Sequence, residues 1–237
     1  MTLDCVLWDF DGTLAATDHD VWRSLVWAAG RAGGELDAGY MADDANLADP
    51  MGAIMRHVSP YPGDDYLETF DADVRVHYRT INAFPDTAFY PGVRELLEDL
   101  ARGGVANVIV TNKPLGALER ILDDKGWRDL FDAWITPDSA EGAELSKGRM
   151  IGRVVAGRGL EPTRCVYVGD SHGDVDASRE HGIACIAVTY GDGDVDALLA
   201  RGPAYVAHDA ADIAAALDTL KTAAGPAADA PLVQEGA

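Results

Sequence analysis

Two aspartates stand two residues apart where an apolar run gives way to a Gly-Thr turn: Val6-Leu7-Trp8-Asp9-Phe10-Asp11-Gly12-Thr13-Leu14. The run from Leu3 to Trp8 is apolar, short and closed by a turn signal, which predicts a buried strand. Side chains alternate along a strand, so Asp9 and Asp11 should project together from its C-terminal end. Open α/β sheets bind their ligands at that end. Carboxylates held so close repel one another and normally need a cation or a shared proton. Gly12, having no Cβ, lets the backbone turn sharply beside them. Taken alone, the segment also allows a solvated Asp-Phe-Asp-Gly turn after a strand, as the lesser reading.

Three further segments follow in order. The apolar run Val105 to Val110 ends in Thr111-Asn112-Lys113, Lys147 opens a helical stretch after Leu145-Ser146, and the run Cys165 to Val168 ends in Gly169-Asp170-Ser171-His172-Gly173-Asp174. Each is weak by itself. In this order, at strand ends, they closely resemble the haloacid dehalogenase superfamily of phosphotransferases, and the resemblance covers residues 3 to about 220.

The resemblance implies a set of roles. Asp9 would be the nucleophile that forms an aspartyl-phosphate, and Asp11 the general acid and then base. Haloacid dehalogenases proper do not use that second aspartate, so its presence points to phosphoryl transfer. Mg²⁺ is the implied metal, held by the Asp9 carboxylate, the Asp11 backbone carbonyl and the Asp170 carboxylate; a hard cation suits such oxygen ligands. Asp174 would act from further out, through water or by holding Lys147. Thr111, Asn112 and Lys147 would bind or position the phosphoryl group, with Lys113 at the edge of the site. Two departures from the family pattern stand out: Gly148 follows Lys147 where many relatives have proline, and Ala16 stands where many have aspartate. His172 takes no role from the resemblance.

Between the first two motifs the strand–helix alternation lapses. Helix-like segments at Asp20 to Arg31, roughly Ala48 to Val58, and Asp65 to Ile81 are separated by turn-rich pieces such as Ser59-Pro60-Tyr61-Pro62-Gly63. From Tyr90-Pro91-Gly92 the alternation resumes, with helices at 93–102, 115–125, 147–158 and 175–181 leading to strands at 105–110, 134–136, 165–168 and 183–188. Such alternation predicts a Rossmann-like parallel sheet with helices on both faces. Residues 1–14 and 89–221 are expected to form this core and 15–88 an inserted α-helical cap. A last helix at 211–220 precedes an Ala/Pro/Gly tail, 222–237, expected to be disordered. The insertion resembles the helical cap of the phosphoglycolate phosphatase-like branch, and in the core Phe89-Tyr90-Pro91-Gly92-Val93 and Val188-Thr189-Tyr190-Gly191 also look most like phosphoglycolate phosphatases.

A net charge of −21 argues against nucleic acid or an anionic membrane as partner. No apolar stretch approaches the roughly 18 residues that would suggest a span. Cys5, Cys165 and Cys185 have no metal-type spacing and suit a core in a reducing compartment, so a cytoplasmic location is expected, with no signal peptide. The expected partner is a small phosphorylated metabolite. Gly191-Asp192-Gly193-Asp194-Val195-Asp196 has the look of a calcium loop, but Ala197 and Pro203 replace its required glycine and glutamate, so it is taken as a loop. Residues 15–88 contain no lysine, which argues against the Schiff-base chemistry of phosphonoacetaldehyde hydrolysis. The leading expectation is a phosphatase of small phosphomonoesters, 2-phosphoglycolate first. Alternatives are a sugar-phosphate or nucleotide phosphatase, a β-phosphoglucomutase-like mutase, or an inactive scaffold.

Overall fold

The computed structural model describes residues 2–140, 142 and 144–223. In chain order, β1 (Cys5–Trp8) is followed by β2 (Ala15–Ala16), α1 (Asp18–Arg31), β3 (Glu35–Leu36), α2 (Met51–Met55), β4 (Val58–Ser59), α3 (Leu67–Val76) and β5 (Ala88–Phe89). Alternation then runs through α4 (Val93–Arg102), β6 (Ala106–Val110), α5 (Leu115–Asp124), β7 (Ala133–Ile135), α6 (Lys147–Arg158) and β8 (Cys165–Gly169). It ends with α7 (His172–Arg179), β9 (Ala184–Val188), α8 (Val195–Ala200), β10 (Tyr205–Ala207) and α9 (Ala210–Ala223). Six strands form one sheet in the order β10-β9-β8-β1-β6-β7, and every pairing is parallel.

The two-residue period of a strand divides the core between the two faces of this sheet. Val6 and Trp8 of β1 join Ile109, Val168 and Ile186 in a cluster covered by Leu97 of α4, Leu118 of α5 and Leu217 of α9. Cys5 and Leu7 point the other way, to a cluster with Val108, Tyr167, Met150 of α6, Val175 of α7 and Leu198 of α8. Both faces are therefore apolar, which is why these strands read as continuous hydrophobic runs. The fold is the expected α/β architecture, a Rossmann-like parallel sheet with helices on both faces.

The segment between β2 and β5 builds a hydrophobic cluster of its own, with Trp22, Leu25, Ile54, Met55, Phe70 and Val74 at its centre. β2 and β5 pair antiparallel, Ala15 opposite Phe89, so the chain leaves and re-enters the sheet region side by side.

The expected helix from Ala48 to Val58 is instead a 3₁₀ turn (Asp44–Ala48), the short α2 and then β4. Pro50 bars its predecessor from the helical region, and Asp49 is extended at φ −65° and ψ 147°. α7 begins three residues earlier than expected, because Ser171 caps it and draws His172 and Gly173 into its first turn. The loop expected after β9 contains α8, whose start is capped by the Asp194 side chain accepting from Ala197 N at 3.0 Å. α9 extends to Ala223, and residues 224–237 of the expected disordered tail lie outside the described residues.

Candidate active site

The strand ends bring the separated motifs together. β1 lies between β6 and β8, with Trp8 level with Ile109 on one side and Val168 on the other. The residues just beyond, Asp9, Thr111 and Asp170, consequently emerge side by side, and all three are buried.

Asp9 accepts from Phe10 N at 2.8 Å through Oδ1 and from Lys147 Nζ at 2.6 Å through Oδ2. Lys147 is the first residue of α6, where the macrodipole disfavours a cation. It is retained there between two carboxylates, since the same Nζ lies 2.7 Å from Asp174 Oδ1. Burial alone would lower the Lys147 ammonium, but Asp9 and Asp174 outweigh it and hold it above the usual lysine range.

Asp174 is fully buried at the third position of α7, in a reciprocal cap. Its Oδ2 accepts from Ser171 N at 3.0 Å and Ser171 Oγ at 2.6 Å, which leaves Oδ1 for Lys147. Asp170 is held from the other side, its Oδ2 accepting from Asp192 N at 3.0 Å and Gly193 N at 3.1 Å. Thr13 Oγ1 reaches Asp170 Oδ1 at 3.4 Å, and Tyr190 OH donates to Thr13 O at 2.9 Å. The Gly191–Gly193 segment, set aside in the sequence as a loop, is thus a wall of the site. Local patterns could not reveal this, because its partner lies about twenty residues away in sequence.

Asp11 is partly exposed. Its Oδ1 accepts from Thr17 Oγ1 at 2.5 Å and pairs with Lys113 Nζ at 2.8 Å. Lys113, placed at the edge of the site by sequence, is buried and central to it. The Thr111 hydroxyl accepts from Lys113 N at 3.2 Å, while Asn112 is exposed. His172 is exposed on the first turn of α7.

Carboxylate oxygens of Asp9, Asp170 and Asp174 all lie within 4.8 Å of one another. Asp9 and Asp174 share the Lys147 ammonium, and with Asp170 beside them the cluster keeps an excess of buried negative charge. Burial first, then the neighbouring acids, push the Asp9 and Asp170 carboxyls above the usual carboxylate range, with Lys147 opposing. An all-oxygen donor set with surplus negative charge fits a hard divalent cation. Three buried carboxylates and the Lys147 ammonium thus converge at the strand ends, and the Asp11–Lys113 pair is a second carboxylate–ammonium contact.

Comparison with known proteins identifies the family. The family model for haloacid dehalogenase-like hydrolases matches residues 6–188. The chain is 28% identical to the phosphoglycolate phosphatase of Synechococcus elongatus, over 92% of this chain and 99% of that protein. It is 27% identical to a 5'-nucleotidase of Pseudomonas aeruginosa, over 92% and 95% of the two chains. A haloacid dehalogenase-like family hydrolase from Streptococcus pneumoniae shares the fold at a TM-score of 0.74 and 21% identity, covering 91% of this chain and 98% of that one. With its family signature spanning most of its length and its acidic residues gathered at the strand ends, the chain belongs to the haloacid dehalogenase-like hydrolase family.

Proposed function

We propose that the protein is a Mg²⁺-dependent phosphatase of small phosphomonoesters, that it works through an aspartyl-phosphate on Asp9, and that 2-phosphoglycolate is its substrate. The observation that carries this reading is the Asp9–Lys147–Asp174 chain beside Asp170. Asp9, Asp170 and the Asp11 backbone carbonyl would hold Mg²⁺, which when bound neutralises phosphoryl oxygens and offsets the repulsion between the carboxylates.

In the first step the Asp9 carboxylate attacks phosphorus, the bond to the leaving oxygen breaks, and Asp11 gives that oxygen its proton. In the second, Asp11 takes a proton from water as the water oxygen attacks the phosphoryl group, releasing inorganic phosphate and restoring Asp9. Lys147 keeps the Asp9 carboxylate aimed and supplies positive charge as charge moves onto the transferring group. The Thr111 hydroxyl, whose oxygen accepts from Lys113 N, keeps its own proton to donate to the phosphate, with Asn112 at the open side.

Residues 15–88 would act as a cap on a core made from 1–14 and 89–221. Support comes from the separate hydrophobic cluster of the insertion and the paired β2–β5 connections. A cap of this kind excludes water during transfer. The substrate assignment is supported by the Synechococcus elongatus phosphoglycolate phosphatase, and the 5'-nucleotidase likeness makes nucleoside monophosphates the second reading. No helix among the described residues is long and apolar enough to cross a membrane, and the three cysteines are buried and free. A cytoplasmic enzyme acting on a small phosphorylated metabolite accords with both.

The test is phosphate release from 2-phosphoglycolate, sugar phosphates and nucleoside monophosphates with Mg²⁺, using Asp9→Asn as control. A preference for phosphoglycolate that is lost in Asp9→Asn upholds the whole reading. A preference for nucleotides transfers the substrate to the second reading. Silence on every ester overturns the phosphatase and leaves a mutase or an inactive scaffold.

A further inference from the structure

Lys113 is an unusual lysine. Its side chain is fully buried, with Nζ 2.8 Å from Asp11 Oδ1. Around the ammonium stand three aromatic rings, with centroids 5.7 Å (Phe10), 4.8 Å (Tyr78) and 5.9 Å (Phe84) away. Nζ also donates to the Tyr78 hydroxyl. Burying an ammonium and freezing its long stem is costly unless the charge is fully paired. A lysine kept in such a place is doing something a leucine could not.

Tyr78 does not come from the sheet. It lies in the helical insertion, on a π-helical turn, His77–Ile81, that widens the end of α3. Its ring meets Phe84 edge-on at 5.3 Å. Such widened turns re-aim side chains and recur at functional sites. The contacts therefore run from the insertion through Tyr78 and Lys113 to Asp11. Thr17 Oγ1 holds the same carboxylate oxygen at 2.5 Å, so Asp11 Oδ1 is gripped from two sides.

We infer that Lys113 is a positioning residue for the phosphoryl transfer proposed above: braced by the Tyr78 hydroxyl of the insertion, it orients the Asp11 carboxyl group toward the leaving oxygen. This rests on the phosphatase reading. Lys113 is sealed under the aromatic rings, so it acts on the reaction through Asp11 rather than by touching substrate.

Leaving-group dependence isolates that role. An alkoxide departs only with a proton, whereas p-nitrophenolate departs without one, so faulty aim of Asp11 should harm the first and spare the second. The variants are Lys113→Met, which keeps the apolar stem, and Tyr78→Phe, which keeps the ring on Phe84 and removes only the hydroxyl. The readout is kcat/KM for the alkyl phosphomonoester that the wild type hydrolyses fastest and for p-nitrophenyl phosphate. Lys113→Met is expected to lose on the order of 100-fold on the alkyl ester and no more than a few-fold on the aryl ester. Tyr78→Phe should show the same selectivity with a smaller loss, and it decides the matter alone if Lys113→Met does not fold. Equal losses on the two esters, or none on either, overturn the inference while leaving an active wild type as a phosphatase. A wild type inert on both esters overturns the phosphatase reading, and this one with it.

Discussion

Gly12 and Asp170 are in such close approach that a single carbon added to Gly12 would overlap the Asp170 carboxylate. Gly12 also has φ +70°, a conformation that side-chain-bearing residues rarely adopt. Residues more than 150 positions apart are therefore fitted together by the absence of a side chain. The same point is closed from outside by Gly191, where an added carbon would overlap the Gly12 carbonyl oxygen.

Gly12→Ala should consequently harm the site more than the fold. Backbone strain in the left-handed region costs about 1–3 kcal/mol. The displaced Asp170 carboxylate should weaken divalent-cation binding as well. Thermal melts with and without Mg²⁺ check this: a modest loss of stability is expected, together with loss of most of the Mg²⁺-induced stabilisation. A variant that melts like the wild type and retains its full Mg²⁺ response would refute it.

Lys147→Met removes the cation shared by Asp9 and Asp174, whose side chains have 10% and 0% exposure. Breaking a buried pair by removing one partner costs about 3–5 kcal/mol, because the remaining charges stay buried and unpaired. Denaturant unfolding without metal should show a loss of that order, partly restored by Mg²⁺. Under the proposed mechanism, activity should fall at least 100-fold, because Lys147 would no longer offset charge on the transferring group.

The raised Asp9 and Asp170 carboxyls set a pH dependence whose sign follows from linkage. A carboxyl whose folded value lies above its unfolded value, about 4, binds more protons in the folded state, so its contribution to stability falls as pH rises through that window. Metal-free protein should therefore lose stability from about pH 4 toward neutrality as these acids are forced to ionise together. Mg²⁺ prefers the ionised carboxylates, so its stabilising effect should grow over the same range. Melting temperatures taken at several pH values, with EDTA and with Mg²⁺, provide the check; a Mg²⁺ shift independent of pH would contradict it.

Gly148 and Gly152, one turn apart on α6, face the end of α7 and should answer differently to alanine. A carbon added at Gly148 would meet the Glu180 carboxylate, the free end of a flexible side chain. At Gly152 it would lie 2.8 Å from the His181 ring, which Gly148 O holds through Nε2 at 2.7 Å. Gly148→Ala should be neutral or gain up to about 1 kcal/mol from helix propensity. Gly152→Ala should lose about 1–3 kcal/mol through overpacking. Paired thermal melts read the difference.

How much of this was legible in sequence depended on range. β1, β6, β8 and β9 stood out because burial on both faces makes each a short apolar run. α4 and α6 were legible to the residue because apolar positions recur at helical spacing and glycine follows each. The two-residue ribbons are too short to carry a period. α8 was hidden by the Gly-Asp-Gly-Asp stretch before it, whose last aspartate is its cap. Asp9, Asp11, Thr111, Lys147, Asp170 and Asp174 were recognisable as motifs. The grip of Asp192 N and Gly193 N on Asp170, and of Lys113 on Asp11, was not, since lysine is ordinarily exposed and loop amides carry no sequence signal.

The attachment of the insertion depends on Asp20, a fully buried carboxylate near the start of α1. Its Oδ2 accepts from Thr87 N and Thr87 Oγ1, each at 2.8 Å, and from Asp86 N at 3.1 Å. Arg23 Nε approaches Oδ1 at 3.4 Å. One side chain at the outgoing connection thus ties down the returning one just before β5. Asp20→Ala would strand two backbone N–H groups and the Thr87 hydroxyl, each costing about 1–3 kcal/mol when left buried without a partner. Water entering the space would recover part of that, so a net loss of about 3 kcal/mol is expected. Because the damage falls on the connection, amide hydrogen exchange should rise first at residues 82–89 while β1, β6 and β8 remain protected. Uniform loss of protection across the sheet would show instead that Asp20 supports the whole fold rather than the joint.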